Sequence, residues 1–421
     1  MTLFLLLLTS LSSYLSFILI SSQTFKTNQQ NIPWRVHVNG IRGKSSVTRY
    51  VSAIFRAAGY QTFGKTTGTA ARIIQPNGQD FDFGRPGYAN INEQVRILKR
   101  FSQQKAEAVV MECMAINPTY AEWLEEKVMH SNIGIITNVR LDHTDYMGET
   151  LEEIAESLSR TIPSNGILIT SETKPELISI LEKNAKAKNT RLVLAHDNLV
   201  ASEDLEGFAH FAIKENVAIG YRIAEILNVP LKQALSAMQA AASDPGMFNI
   251  QSILFDQCDI TWANLFAVND RESFVEISQK LFEQHPDHHK VVILNNRHDR
   301  PTRVELFAKT AQELQFDRIV TFGDYETSVN QIFTSDIGKV INLGNSTRFQ
   351  DASATQLLTQ MMAGLKGQKI LLLGTVNIHT TQAEKLLHFF SEDHIQPVSR
   401  NTSYSVNPLR PRPVGIPRLI G

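Results

Sequence analysis

Two rhythms of hydrophobic and polar positions alternate along the chain. Residues 35–39 alternate as a strand does, and Val47, Val51, Ile54, Phe55 and Ala58 then share one helical face. Residues 107–112, 132–138 and 166–170 are nearly continuous apolar runs, as strands buried on both faces are. Helical spacing covers 118–130, with Pro118 near its start, and returns over 151–162 and 175–186. This succession predicts a parallel sheet covered by helices on both faces. Two more helical patterns, 217–227 and 231–242, precede a break at Ser243-Asp244-Pro245-Gly246. Beyond it the alternation restarts. Strands are expected at 260–268, 290–295, 318–323, 339–343 and 369–374, with helices such as 271–284 and 303–314 between them. That is a second, smaller doubly wound domain.

The first residues obey neither rhythm. Residues 3–20 are apolar except for hydroxyl side chains and Tyr14, long enough for one membrane-spanning helix. A cleaved signal peptide is the rival, but no Lys or Arg precedes Lys26, and Ser21-Ser22-Gln23 is a poor cleavage site. The first basic residues, Lys26 and Arg35, follow the segment and favour a cytoplasmic body. The expected organisation is a membrane anchor over 1–22, a polar linker over 23–33, an ATP-binding domain over 34–245, a Rossmann-like domain over 246–400 and a Pro/Arg-rich tail over 401–421. A single-pass protein of the cell membrane, in contact with lipid through its helix and with cytoplasmic catalytic domains, follows.

Composition adds little. Of 421 residues, 43% are hydrophobic and 20% charged, which is globular rather than disordered. A formal net charge of -1 supplies no field for nucleic acid, so no such partner is expected. Cys113 and Cys258 each lie in an apolar run and read as buried thiols.

Candidate chemistry concentrates at Gly40-Ile41-Arg42-Gly43-Lys44-Ser45, between the first strand and its helix. Glycines let backbone N–H groups turn onto a phosphate, and the helix N-terminus adds its dipole. Lys44 suits the β/γ phosphates and Ser45 a Mg²⁺ ion. The longer phosphate-loop pattern needs a glycine where Val38 stands, so the match is to the shorter G-x-x-G-K-S form. Glu112 ends the next buried strand, where a carboxylate faces the crevice at the sheet edge. Asn138 ends the following strand, with Asp142, His143 and Asp145 behind it. Carboxylate and imidazole there suit a metal or a phosphate, although the same letters also make a polar turn.

Gly40–Ser45, Met111–Asn117 and Thr137–Asp145 follow one another as in the Mur ligases, which join an amine to a carboxylate using ATP. The chain most resembles the capsule-type poly-γ-glutamate synthases of that family. Val38–Arg49, Thr66-Thr67-Gly68-Thr69, Asn90-Ile91-Asn92-Glu93-Gln94 and Asn295-Asn296-Arg297-His298-Asp299-Arg300 resemble that branch's motifs. The resemblance implies ATP and Mg²⁺ as cofactors, glutamate and the growing polymer as substrates, and small membrane proteins as partners. It implies nucleotide contacts at Gly40, Arg42, Gly43, Lys44, Ser45, Ser46 and Asn138 and, from the second domain, at Asn264, Asn269 and Asp270. Asn269 or Asp270 equally suits a helix cap. Ser45 (or Ser46), Glu112 and His143 are the implied metal set, and Lys44, Glu112 and His143 the catalytic one. Thr67, Thr69, Arg85, Arg297, Asp299 and Arg300 are substrate candidates, the last three readable also as a solvated loop. Two departures stand out. Many Mur ligases carry a carbamylated lysine where Leu158 stands, and many have an arginine where Met247 follows Pro245-Gly246.

The leading expectation is therefore a ligase that polymerises glutamate through γ-carboxyl links by way of an acyl phosphate. Another Mur-type ligase, acting on folate or cell-wall peptide, is the alternative enzyme. A membrane-tethered regulatory ATPase is the alternative of another class.

Overall fold

The computed structural model describes residues 2–67, 71–84, 90–205, 207–208, 212–242, 250–266, 268, 271–377 and 380–391. The described residues separate into two compact units, one ending at 242 and one beginning at 250. The break at Ser243–Gly246, Met247 and the tail from 401 lie outside them, as do Thr69, Arg85, Asn269 and Asp270.

The first unit holds an eight-stranded sheet in the order β4-β3-β2-β5-β1-β6-β7-β8. Its strands are β1 (Trp34–Asn39), β2 (Thr62–Lys65), β3 (Arg72–Ile74), β4 (Asp80–Asp82), β5 (Ala108–Glu112), β6 (Ile133–Ile136), β7 (Ile167–Thr170) and β8 (Arg191–Leu194). All pairs are parallel except β2–β3 and β3–β4. Successive strand residues point to opposite faces, and here both faces are covered. Val36, Val38 and Val110 pack with Val47, Val51 and Ile54 on one side. Val109 and Met111 pack with Phe63, Phe101 and Leu124 on the other. This is why these strands read as continuous apolar runs.

The unit's helices are α1 (Thr2–Gln30), α2 (Lys44–Ala57), α3 (Asn92–Gln103), α4 (Pro118–Trp123), α5 (Thr144–Met147), α6 (Leu151–Leu158), α7 (Pro175–Ala187), α8 (Lys214–Ile226) and α9 (Leu231–Gln239). Asn117 caps α4 by accepting from the Thr119 N–H at 2.9 Å. The helix expected over 118–130 changes character midway, because α4 runs into a π-helix at Leu124–Met129. A full capping box, Thr150 with Glu153, starts α6.

The polar linker expected over 23–33 is a correction, since α1 continues unbroken to Gln30. Its last turns dock on the unit: Phe25 packs against the Phe63–Phe101 core, and Gln29 Nε2 donates to the Val128 carbonyl at 2.8 Å. Such contacts give the helix tertiary support that polar residues alone would not. The anchor expected over 3–20 falls on residues whose side chains lie mostly outside the description. Among the described residues no helix is long and apolar enough to cross a membrane, so the structure does not carry that expectation.

The second unit's sheet has the order β13-β12-β11-β14-β10-β9. Its strands are β9 (Ile250–Phe255), β10 (Cys258–Leu265), β11 (His289–Asn296), β12 (Arg318–Gly323), β13 (Val340–Asn342) and β14 (Lys369–Thr375). Only β9 runs antiparallel. Helices α10 (Arg271–Gln284), α11 (Pro301–Glu313), α12 (Glu326–Ile332), α13 (Ala354–Met361) and α14 (Thr381–Ser391) complete it, with cores on both faces of the sheet. Cys113 and Cys258 are both free and buried, as their apolar settings predict.

Candidate active site

Strand β1 lies between β5 and β6, where strand order reverses, so the loop after it opens into the crevice at the sheet edge. Gly40 (φ +119°) and Gly43 (φ +78°) both take conformations that side-chain-bearing residues disfavour. The loop is held from the β6 side. Arg42 N–H donates to Asn138 Oδ1 at 3.0 Å, while the Arg42 carbonyl accepts from Thr137 Oγ1 at 2.6 Å and Asn138 Nδ2 at 3.2 Å. Asn138 thus shapes the phosphate loop through both ends of its amide.

Lys44 curls back over the loop, its Nζ donating to the carbonyls of Gly40 at 2.8 Å and Ile41 at 3.2 Å. Burial pushes its pKa down from the ordinary lysine value, and the Glu112 carboxylate opposes that shift. The ammonium thus holds two neutral carbonyls, weaker partners than an anion would be.

Ser45 Oγ donates to Glu112 Oε2 at 2.8 Å, and the Thr67 N–H donates to the same oxygen at 2.8 Å. Strand β5 presents Glu112 to the first turn of α2 because Val38 and Glu112 are in register. The structure therefore brings together Lys44, Ser45, Glu112 and Thr67, with Ser46 buried behind them. His143 sits elsewhere in the constellation. It has φ +53°, and its Nε2 lies 3.7 Å from Asp142 Oδ2, which also accepts from Arg42 Nη2 at 2.9 Å. Among the described residues no three His, Cys, Asp or Glu side chains gather as a metal group. The expected Ser45–Glu112–His143 set is thus seen as a Ser45–Glu112 pair, with His143 beside Asp142. Two hard oxygens still fit Mg²⁺, which keeps several waters and takes its other ligands from phosphates.

Three supports were not legible beforehand. Glu172, buried after β7, accepts from the Val139 N–H at 2.8 Å and from the Thr173 and Lys174 N–H groups, fixing the base of the 139–143 loop. Asn216, in the first turn of α8, stands so close to Gly43 that a Cβ there would lie 2.5 Å from its Oδ1. His37 lies in β1 just ahead of the loop, its Nδ1 2.8 Å from Glu125 Oε2 on the π-helix. The other Glu125 oxygen accepts from the Ser131 N–H and hydroxyl, both at 2.9 Å. A π-turn is what aims Glu125 inward, and such turns concentrate at functional sites.

Burial disfavours charge on His37, but Cys113 and Glu125 outweigh it and raise its pKa to about 10. A raised value means the charged pair stabilises the fold fully below about pH 6.5 and loses that contribution as pH rises through about 10. Urea unfolding of the wild type is expected to show stability declining across that window. His37→Gln is less stable at pH 7 and declines less. Equal slopes for the two proteins would remove the pair from the account.

In the second unit, Asn264 is buried at the end of β10, its Oδ1 accepting from the Phe266 N–H at 3.3 Å. Arg297 and Asp299 form a two-bonded pair at 2.9 and 2.8 Å, and Arg300 Nε lies 3.8 Å from Asp299. Arg297 is thus committed to a neighbour. Asn295 and Asn377 are both buried; Asn377 Nδ2 donates to the Asn295 carbonyl at 2.9 Å, and Thr380 Oγ1 to Asn295 Oδ1 at 2.7 Å. Asparagine at adjoining strand ends was the available signal for that network.

A phosphate loop at the reversal point of a mostly parallel sheet, with a carboxylate on the neighbouring strand and a second parallel α/β unit, defines a ligase of the Mur type. Residues 38–219 match the Mur ligase middle domain, and residues 250–393 match the poly-gamma-glutamate synthase CapB C-terminal domain. The chain is 32% identical over 370 residues to the capsule biosynthesis protein CapB of Bacillus anthracis, covering 87% of this chain and 78% of that one. It is 35% identical over 294 residues to the PGA synthase CapB of Bacillus subtilis (strain 168), covering 69% and 74%. It belongs to the CapB family of poly-γ-glutamate synthases. In fold it is similar to the bifunctional folylpolyglutamate synthase/dihydrofolate synthase of Yersinia pestis, crystallised with AMPPNP and Mn, at a TM-score of 0.61 and 16% identity over 88% of this chain and 92% of that one.

Proposed function

We propose that this protein is an ATP-dependent amide ligase that builds poly-γ-glutamate. Membership of the CapB family supports the substrate class. The observation that carries the chemistry is Lys44 beside the Ser45–Glu112 pair at the mouth of one phosphate loop.

A carboxylate is a poor electrophile toward amines. One of its oxygens attacks the γ-phosphorus of ATP, the bond to the ADP oxygen breaks, and an acyl phosphate forms. The amine of the next glutamate attacks the acyl carbon, the bond to phosphate breaks, and the nitrogen gives up a proton. In this reading the loop N–H groups and the α2 N-terminus hold the phosphates, and Lys44 carries positive charge to the transferred group. Ser45 and Glu112 would hold Mg²⁺, which supplies charge neutralisation between the phosphates. Asn138 and Glu172 keep the loops from shifting. His143 and Thr67 border the same edge, His143 as a second phosphate or metal contact and Thr67 toward the acceptor carboxylate. Arg297, Asp299, Arg300 and Asn264 are the second unit's candidates toward substrate and nucleotide.

We also assign membrane attachment to residues 3–20. Phe4, Leu11 and Tyr14 on α1 are 69%, 56% and 62% exposed, large side chains that water does not favour. Use of ATP keeps the catalytic units on the cytoplasmic side, where small membrane subunits would receive the polymer. Carbonate-washed membranes are expected to retain the full chain and to release it when residues 1–22 are removed; release of both would end this assignment.

Trapping with hydroxylamine tests the reaction. Membranes carrying the protein, given ATP, Mg²⁺, glutamate and hydroxylamine, are expected to yield glutamyl hydroxamate with matching phosphate release. ATP turnover independent of glutamate, without hydroxamate, would favour the regulatory ATPase instead.

A further inference from the structure

The Asn90–Gln94 motif has no part in the chemistry above, yet it ends on the backbone of the residue that bears the metal-side carboxylate. Gln94, in the first turn of α3, is 1% exposed, and its Nε2 donates to the Glu112 carbonyl at 2.9 Å. That carbonyl lies at the end of β5, one residue past the last β2 partner, Lys65 opposite Met111. The neighbouring ladder has stopped there, and a buried carbonyl left bare is costly. Gln94 supplies the missing donor.

The same amide has a second end. Gln94 Oε1 is buried with no hydrogen-bond partner among the described residues, a cost of about 1–3 kcal/mol. A leucine or methionine would fill the space without that cost. The motif also fixes where Gln94 stands. The Asn90 side chain accepts from the Asn92 N–H at 2.9 Å, Glu93 Oε1 accepts from the Asn90 N–H at 3.2 Å, and Glu93 Oε2 lies 3.9 Å from the fully buried Lys65 ammonium. Three polar devices therefore set one turn of helix, and that turn grips the peptide from which the Glu112 carboxylate projects.

We propose that Gln94 is a positioning residue for the cation site: by holding the Glu112 carbonyl it aims the carboxylate at Ser45. The inference rests on the reading of Ser45 and Glu112 as the metal-holding pair. Supporting groups of this kind change metal affinity by about 10–100-fold when removed.

The test uses the full chain, AMPPNP and Mn²⁺, with bound Mn²⁺ read by electron paramagnetic resonance. Nucleotide binding without metal is read separately with a fluorescent ADP in EDTA. Gln94→Met keeps the volume and removes the donor; Gln94→Glu keeps a polar group but cannot donate when ionised, and serves if the methionine variant does not fold. A folded variant is expected to bind Mn²⁺ about tenfold or more weakly, with metal-free nucleotide affinity unchanged. Unchanged Mn²⁺ affinity overturns the proposal, as does an equal loss of metal-free nucleotide binding, which would mark a general structural role. A wild-type protein that binds no Mn²⁺ with AMPPNP would instead sink the Ser45–Glu112 reading itself.

Discussion

Lys44→Met leaves a folded protein whose hydroxamate formation falls by about a hundredfold to a thousandfold, the usual result of deleting one preorganised charge from a reacting centre. Methionine keeps most of the lysine stem, so packing changes little. What disappears is the ammonium that bonds the Gly40 and Ile41 carbonyls. Those two bonds bear on stability, at about 1.5–3 kcal/mol each where a charged donor is involved. That figure is an upper bound here, because burying the ammonium is itself costly, as the lowered Lys44 pKa shows. The larger effect falls on rate. Lys44→Arg is expected to fail almost as badly, because a planar fork does not fit two carbonyls converging on one nitrogen. Hydroxamate yield and thermal melting, measured together, separate the two effects. A methionine variant with wild-type turnover would remove Lys44 from the mechanism.

Gly40→Ala is expected to cost about 3 kcal/mol of stability and to abolish nucleotide binding, because φ +119° is denied to alanine at roughly that price. A Cβ at Gly40 would fall 2.7 Å from the backbone nitrogen of Thr137 and closer still to its hydroxyl. Thr137 is itself bonded to Asn39 and Arg42, so it has no room to retreat. Gly43→Ala provides the graded control. The nearest atoms its Cβ would meet belong to the amide of Asn216, the far end of a side chain that can turn aside, so it is expected to be the milder change. Urea unfolding and fluorescent-nucleotide titration of both variants give the order. Finding Gly43→Ala the more damaging would mean that Asn216, rather than the Thr137 backbone, limits the loop.

What the sequence revealed follows from the physics of each signal. Most buried strands were legible because coverage on two faces demands unbroken apolar runs, as in Val109–Met111 and Leu371–Leu373, whereas the short buried β2 was not read, nor were β8 and β9. Strands β3 and β4 were not, since three residues are too few to show any period. Lys44, Ser45 and Glu112 were legible because phosphate binding requires glycine, cation and hydroxyl at fixed spacing, and a strand end fixes the carboxylate. Asn216 and Glu172 were not, because each acts across a fold that brings distant segments together; alone, each is an ordinary polar residue near a helix start. The π-helix at Leu124–Met129 was read as α, because apolar spacing over one turn does not distinguish them. His143 was placed by resemblance, and the structure sets it against Asp142.

Leu158 closes α6 with no exposed surface, packed among Ile154, Leu177 and Leu181. Where the resemblance to Mur ligases implies an amine, this chain presents a hydrocarbon. A carbamate forms only on an amine, and it lasts only while dissolved carbon dioxide resupplies it. This chain therefore has no amine at that position to load or lose, and dissolved carbon dioxide has nothing there to react with.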